Sequence, residues 1–269
     1  MDRRPIGIFD SGVGGLTVFK KIREFLPEES IVYLGDTKHL PYGDKSKEAI
    51  VRFSIENAKF LLKHDVKAIV IACNSASSVA VEPLREMFKV PIIDVIEPTV
   101  ECISRSSFND ILVIGTVRTI ASGVFASKLS SVSSDVKVFA KACPLFVPLV
   151  EEGAFIDKST YLYRSLQNAI VYYLEEFRGK VNNIILGCTH YPLIKNEILD
   201  FMGDVVLIDP GECAVSKLSE VLKNNDLLSD GKYRFEKFFV TDLSERTKQV
   251  AKIILGNNIL IEEVYISDF

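Results

Sequence analysis

Eight short, nearly unbroken apolar runs, separated by stretches long enough for helices, govern what this chain can fold into. They lie at residues 6–9, 31–34, 68–72, 92–96, 111–114, 136–140, 183–186 and 205–208. A strand that is apolar at successive positions is buried on both faces, as happens in parallel sheets covered by helices on each side. Between the runs, residues 14–26 place Leu16, Phe19, Ile22 and either Phe25 or Leu26 on one helical face. Residues 47–63 and 160–177 follow the same spacing. The expected fold is α/β, with doubly wound, mainly parallel sheets.

Two of the runs end alike. IVIACNSAS at 69–77 and IILGCTHYP at 184–192 each pass from an apolar strand through a small residue to a cysteine and then to polar side chains. Asp10, closing the first run, precedes Cys73 by 63 residues, and Gly115, closing the fifth, precedes Cys188 by 73. This spacing suggests two pseudo-symmetric lobes, each delivering one cysteine. The first lobe would span 1–97, completed by 208–269, and carry Asp10 and Cys73. The second would span 98–207 and carry Glu151, Cys188 and His190. IEPTV at 96–100 and LIDPGE at 207–212 would be the crossings. Ligands of parallel sheets bind beyond the carboxyl ends of the strands, so the thiols are expected to face one cleft.

Composition removes several classes. The chain has 269 residues, 48% hydrophobic and 25% charged, with a formal net charge of −4. That balance does not favour a nucleic-acid partner. No apolar run approaches the roughly 18–20 residues of a membrane span, and IGIF is too short for a signal-peptide core. A cytoplasmic protein without a membrane partner is expected. The five cysteines, at 73, 102, 143, 188 and 213, include no CxxC pair, so neither a disulfide framework nor a zinc site is expected. Cys102, Cys143 and Cys213 read as small buried apolar residues.

The remaining motifs are polar. Asp10–Gly15 reads DSGVGG, a glycine-rich turn opening a helix, where free backbone N–H groups suit an anion. It matches neither GxGxxG nor a P-loop. Pro41-Tyr42-Gly43 forms a second turn. A cysteine between a strand end and a helix N-terminus should have its pKa lowered toward neutrality. Two chemistries then compete. One thiol could attack a carbonyl with His190 as base, which leaves the other thiol idle. Alternatively the two thiols flank one carbon, one removing a proton and the other returning one, which inverts a stereocentre. Asp10, Glu151 and His190 are candidate helpers.

The segments DSGVGGLTV (10–18), GDTKHLPYGDKS (35–46), ACNSAS (72–77), IEPTV (96–100), Gly115-Thr116, CPLFVPLVEEG (143–153) and LGCTHYPLI (186–194) together resemble the glutamate racemases, cofactor-independent enzymes of the aspartate/glutamate racemase superfamily. FFVTDLSER at 238–246 is similar to the C-terminal stretch of that family. The resemblance implies proton transfer on glutamate with Cys73 and Cys188 as the two bases. Asp10 would assist Cys73, and Glu151 (rather than Glu152) and His190 would assist Cys188. Substrate contacts would come from Asp10, Ser11, Pro41, Tyr42, Gly43, Asn74, Ser75, Thr116, Thr119, Thr189 and His190. The resemblance further implies no metal or pyridoxal cofactor, a homodimer, and a product used for peptidoglycan. Ser75 stands where the family more often has threonine, and His39 also departs from the common pattern. Two other readings are an aspartate racemase of the same superfamily and a two-lobed amino-acid-binding protein.

Overall fold

The computed structural model describes residues 1–132, 136–256 and 259–266. Its strands, in chain order, are β1 (Ile6–Asp10), β2 (Ile31–Gly35), β3 (Ala68–Ile71), β4 (Ile92–Asp94), β5 (Asp110–Gly115), β6 (Lys137–Ala142), β7 (Asn183–Gly187), β8 (Val206–Ile208), β9 (Glu236–Val240) and β10 (Ile261–Glu263). They form two sheets, ordered β10-β9-β2-β1-β3-β4 and β6-β5-β7-β8 among the described residues. Every pairing in both sheets is parallel. The segments β2-β1-β3-β4 and β6-β5-β7-β8 repeat one order, so β1 corresponds to β5 and β3 to β7.

The principal helices are α1 (Leu16–Phe25), α2 (Lys47–Leu62), α3 (Asn74–Met87), α4 (Glu97–Ser104), α5 (Val117–Ala121), α6 (Val124–Val132), α7 (Phe146–Glu151), α8 (Tyr161–Leu174), α9 (Lys195–Met202), α10 (Pro210–Asn224) and α11 (Glu245–Leu255). On α1, Leu16, Phe19, Ile22 and Leu26 are buried while Phe25 is exposed, so Leu26 completes the stripe.

Alternate strand residues enter different cores, which is why the runs are apolar throughout. Phe9, Ile69 and Ile71 pack under α2 and α3 with Ile50, Phe53 and Leu84. Leu112, Ile114, Ile184 and Leu186 pack with Phe146, Leu166 and Ile170. A third cluster runs from Ile8 and Val70 of the first sheet, through Leu16, Phe19, Val215 and Leu218, to Ile111, Val113 and Ile185 of the second. The two sheets thus share a continuous apolar core through α1 and α10. Burying each such side chain contributes about 1.5–3 kcal/mol, so this shared core holds the two halves together.

Some boundaries differ from the sequence reading. The 92–96 run ends at Asp94, because its Oδ1 accepts from the backbone N–H groups of Ile96 (2.6 Å) and Glu97 (2.9 Å) and turns the chain into α4. IEPTV is therefore largely helix, with Pro98 in the first turn where its missing N–H costs nothing. In LIDPGE, Asp209 caps α10 by accepting from Gly211 N at 2.8 Å. The 160–177 segment is α-helical only to Leu174 and finishes as a 3₁₀ turn over Glu175–Phe177. Strands β9 and β10 were not anticipated; β9 extends the first sheet beside β2. Cys102 is exposed rather than buried.

Candidate active site

Both cysteines leave corresponding strands at the carboxyl edge of their sheets. Cys73 directly follows β3–Ala72 and is the residue before α3, while Cys188 directly follows β7. They line a common cavity of about 340 Å³. Its wall includes Ser11, Pro41, Tyr42, Gly43, Asn74, Ser75, Thr116, Glu151, Thr189 and His190. The volume is at the small end of the range for small-molecule sites. Two residues expected to touch substrate do not line it. Asp10 is fully buried behind Ser11, and Thr119 stands behind Thr116. Both were placed by motif, which carries no information about depth.

On the Cys73 side, the thiol points to Ser11 Oγ at 3.6 Å. Burial, followed by the charge of Asp10, pushes Cys73 up to about 12, despite hydrogen bonding from the Ala76 backbone and Ser11. The helix-start effect is present but loses, so the expectation of a lowered pKa fails for this thiol. Burial also raises Asp10, against the charge of His190 and the N–H groups of Gly15, Gly12 and Ser11. Gly12 N donates to Asp10 Oδ2 at 3.1 Å. Among the described residues, Asp10 Oδ1 and Asn74 Oδ1 are buried without a hydrogen-bond partner.

The Cys188 side is a line of three groups. Cys188 Sγ lies 3.8 Å from His190 Nδ1, and His190 Nε2 lies 3.1 Å from Glu151 Oε1. Burial disfavours the imidazolium, but its hydrogen bonds with Cys188 and Glu151 overcome that and raise His190 to about 10. Glu151 is lowered: burial opposes its charge, and His190 and Arg246 favour it more strongly. Behind them Cys143 is buried, its carbonyl accepting from Tyr191 OH at 2.9 Å.

Contacts between the halves fix the rest. Ser75 Oγ is 2.9 Å from Thr116 Oγ1 and 3.4 Å from Thr119 Oγ1, with Thr116 and Thr119 joined at 3.1 Å. Ser75 therefore keeps the bridging hydroxyl that a threonine would supply. A β-carbon on Gly43 would come within 2.9 Å of Thr116 Cβ, so only glycine fits there without displacement. Tyr42 is held from behind, donating to Asp36 Oδ2 at 2.5 Å and accepting from Asn57 Nδ2 at 3.1 Å. Asp36 also meets His39 Nδ1 at 2.9 Å and accepts from Thr241 Oγ1 at 2.8 Å. His39 stacks on Phe53 with ring centroids 4.0 Å apart, so its role is to brace the Leu40–Gly43 turn. The Leu40–Pro41 bond in that turn is cis.

Sequence reasoning missed Leu40, Asp44, Val117, Pro144, Val147, Pro148 and Arg246, all of which line the cavity. The FFVTDLSER stretch pointed at Arg246 without giving it a role.

A family model described as Asp/Glu/Hydantoin racemase matches residues 6–218. The chain is 48% identical over 254 residues to a glutamate racemase of Aquifex pyrophilus, a match covering 94% of each. Its fold superposes with a TM-score of 0.91 on a glutamate racemase of Francisella tularensis solved with D-glutamate, at 38% identity and 100% coverage of both chains. A glutamate racemase of Thermus thermophilus solved with β-chloro-D-alanine gives a TM-score of 0.87 at 39% identity, covering 98% of each chain.

Proposed function

Because the chain belongs to the Asp/Glu/Hydantoin racemase family, we infer that it interconverts L- and D-glutamate, with one cysteine removing the α-proton and the other returning a proton to the opposite face. The observation that carries this reading is that Cys73 and Cys188 leave corresponding strands of two like-ordered sheets and line one small cavity. A hydrolase would need only one of them.

An α-proton beside a carboxylate is a very weak acid, so the carbanion must be stabilised by fixed dipoles and charges. The α3 N-terminus, which opens at Asn74-Ser75, presents free N–H groups suited to a carboxylate. The turns at Ser11 and Tyr42-Gly43 supply further polar groups, and Thr189 and the Ser75–Thr116 pair complete the set. Asn74 Oδ1, buried without a partner among the described residues and on the cavity wall, is suited to accept from the substrate ammonium.

The two sides differ. On the Cys188 side, a protonated His190, anchored by Glu151, donates from Nδ1 toward the sulfur. On the Cys73 side, burial and Asp10 favour the thiol. The substrate's own ammonium is the missing positive charge that would offset Asp10 and ease deprotonation of Cys73. Asp10 acts from behind the wall, through charge and hydrogen bonding rather than contact. Thr119 acts in the same indirect way, by orienting Thr116.

We take 1–97 with 208–269 as one lobe and 98–207 as the other, a division that follows sheet membership except at Ile208, which closes β8 of the second sheet. We further propose, from the family resemblance alone, a homodimer working in the cytoplasm and supplying D-glutamate for peptidoglycan. Among the described residues no helix is long and apolar enough to cross a membrane.

The test is proton NMR of the purified protein with L-glutamate in deuterated water, followed by chiral analysis. Loss of the α-proton signal with appearance of D-glutamate is the expected result. Exchange with aspartate but not glutamate would reassign the substrate. No exchange with either, with all thiols reduced, would overturn the reading.

A further inference from the structure

Arg246 lies in the first turn of α11, a helix that precedes β10 of the first sheet, yet its guanidinium faces α7 of the other half. Nη1 is 2.5 Å from Glu152 Oε1, and Nη2 is 3.6 Å from Glu151 Oε2. The other Glu151 oxygen, Oε1, is the one 3.1 Å from His190 Nε2. His190 in turn reaches Cys188 Sγ at 3.8 Å through Nδ1. Four groups therefore stand in series, with the last supplied across the boundary between the halves. Arg246 also lines the cavity itself.

We propose that Arg246 is a positioning residue for the Cys188 side of the reaction: by engaging one oxygen of Glu151, it keeps the other oxygen on His190 and so holds the imidazole against the thiol. This rests on the two-thiol reading given above. The terminal torsion of a glutamate is broad, so a carboxylate tied at one oxygen can swing, whereas one tied at both is fixed. The alternative is an ordinary surface ion pair between Arg246 and Glu152. Both of those side chains are about half exposed, at 52% and 54%, and such pairs contribute little by themselves. Glu151 is different, with its side chain only 18% exposed and in line with a reacting thiol. The sequence hid this because Arg246 stands in a charged helix start, where an arginine needs no explanation.

Steady-state racemisation cannot locate the damage. The two enantiomers are equally stable, so kcat/KM in the two directions must stay equal in every variant. Elimination from glutamate carrying a halogen on its β carbon avoids that constraint. One thiolate takes the α-proton, the halide leaves from the β carbon with the bonding pair, and the resulting enamine hydrolyses to a 2-oxo acid and ammonia. Each hand of the analogue uses one thiol only, and Cys188→Ser identifies the hand that depends on Cys188. Arg246→Gln should lower elimination kcat/KM for that hand by roughly fivefold, as a partly exposed charge contact allows, and leave the other hand at the wild-type rate. Arg246→Lys should recover part of the loss, because it keeps the charge but cannot fork between two carboxylates. Equal slowing of both hands, or of neither, would overturn the proposal while leaving the two-thiol reading intact. Wild-type protein that eliminates from neither hand would overturn both.

Discussion

Gly14 packs so closely against His190 that a β-carbon on it would stand 2.4 Å from His190 Cε1 and 2.5 Å from Thr189 Oγ1. The glycine turn of one half is therefore the bed for the Cys188-Thr189-His190 segment of the other. Thr17 seals the contact by donating to Thr189 O at 3.0 Å. DSGVGG thus serves two purposes: it exposes backbone to the cavity and lets the second half approach.

Gly14→Ala tests that contact. The added methyl would displace His190 and Thr189 by about 1 Å, and misplacement of that size at a catalytic group costs on the order of 100-fold in rate. We expect kcat/KM for glutamate to fall to that extent while the far-UV circular dichroism is retained. Wild-type activity in this variant would mean that the segment tolerates movement and that the close packing is incidental.

Thiol reactivity separates Cys102 from Cys73, Cys143 and Cys213. Burial and the Asp10 charge hold Cys73 up at about 12, so little thiolate exists at neutral pH in the free protein. Burial also pushes Cys143 and Cys213 up. Cys102 is exposed. Iodoacetamide at pH 7.5, a value set for the experiment at about one unit below the ordinary thiol pKa, should label Cys102 well before Cys73, Cys143 or Cys213 by peptide mapping. Rapid labelling of Cys73 without substrate would contradict the account of a buried thiol awaiting a positive charge.

His190 links stability to pH. Its folded pKa, about 10, lies above the ordinary 6.5, so the folded state holds the proton more tightly than the unfolded chain. The stabilisation is fully present below pH 6.5 and is lost as pH rises from 6.5 through about 10. Chemical denaturation followed across that range should show stability declining with pH, and His190→Asn should flatten this part of the profile. An unchanged slope in the variant would show that the proton sits elsewhere in the Cys188–His190–Glu151 series.

What the sequence made legible is what depends on local pattern. β1 to β5 and β7 announce themselves because both faces are buried, β6 and β8 are edge strands legible from their apolar residues alone, and Cys73 and Cys188 stand out because polar residues follow each apolar run. β9 begins Glu236-Lys237 with both residues exposed, and β10 reads Ile-Glu-Glu, so neither carries that signature. β9 is a strand because β2 offers an edge for pairing, and β10 because β9 then offers the next one. Depth was likewise invisible: Asp10 and Thr119 share motifs with their cavity-lining neighbours but stand behind them. The contacts Gly14–His190, Ser75–Thr116 and Arg246–Glu151 all join the two halves, and no helical or strand period links residues so far apart. Cys73 shows a related limit, since its position beside a helix start is legible but the burial that overrides it is not.

The opposite edge of the first sheet gives a control that should move stability without touching the chemistry. Lys67, just before β3, and Glu29, just before β2, form an ion pair with side-chain exposures of 0% and 2%. Lys67 Nζ also donates to Asp2 O at 2.8 Å and Leu227 O at 2.6 Å, and Glu29 Oε1 accepts from Ser229 N at 2.9 Å. The pair ties the N-terminal segment and the 227–229 loop to the sheet at the amino ends of the strands. The cysteines leave the carboxyl ends, a strand length away. Removing one partner strands a buried charge, which costs about 3–5 kcal/mol. Lys67→Met should therefore lower the denaturation midpoint sharply, and Glu29→Gln should do so by leaving the ammonium unpaired. The double variant should lose less than the sum of the two, because neither charge is then left alone. At temperatures where each variant is folded, kcat/KM should match wild type. Additive losses would mean that the carbonyl contacts, not the ion pair, hold this edge. A drop in kcat/KM in folded protein would mean that strain here passes along β3 to Cys73, and the two ends of the strand could no longer be treated as independent.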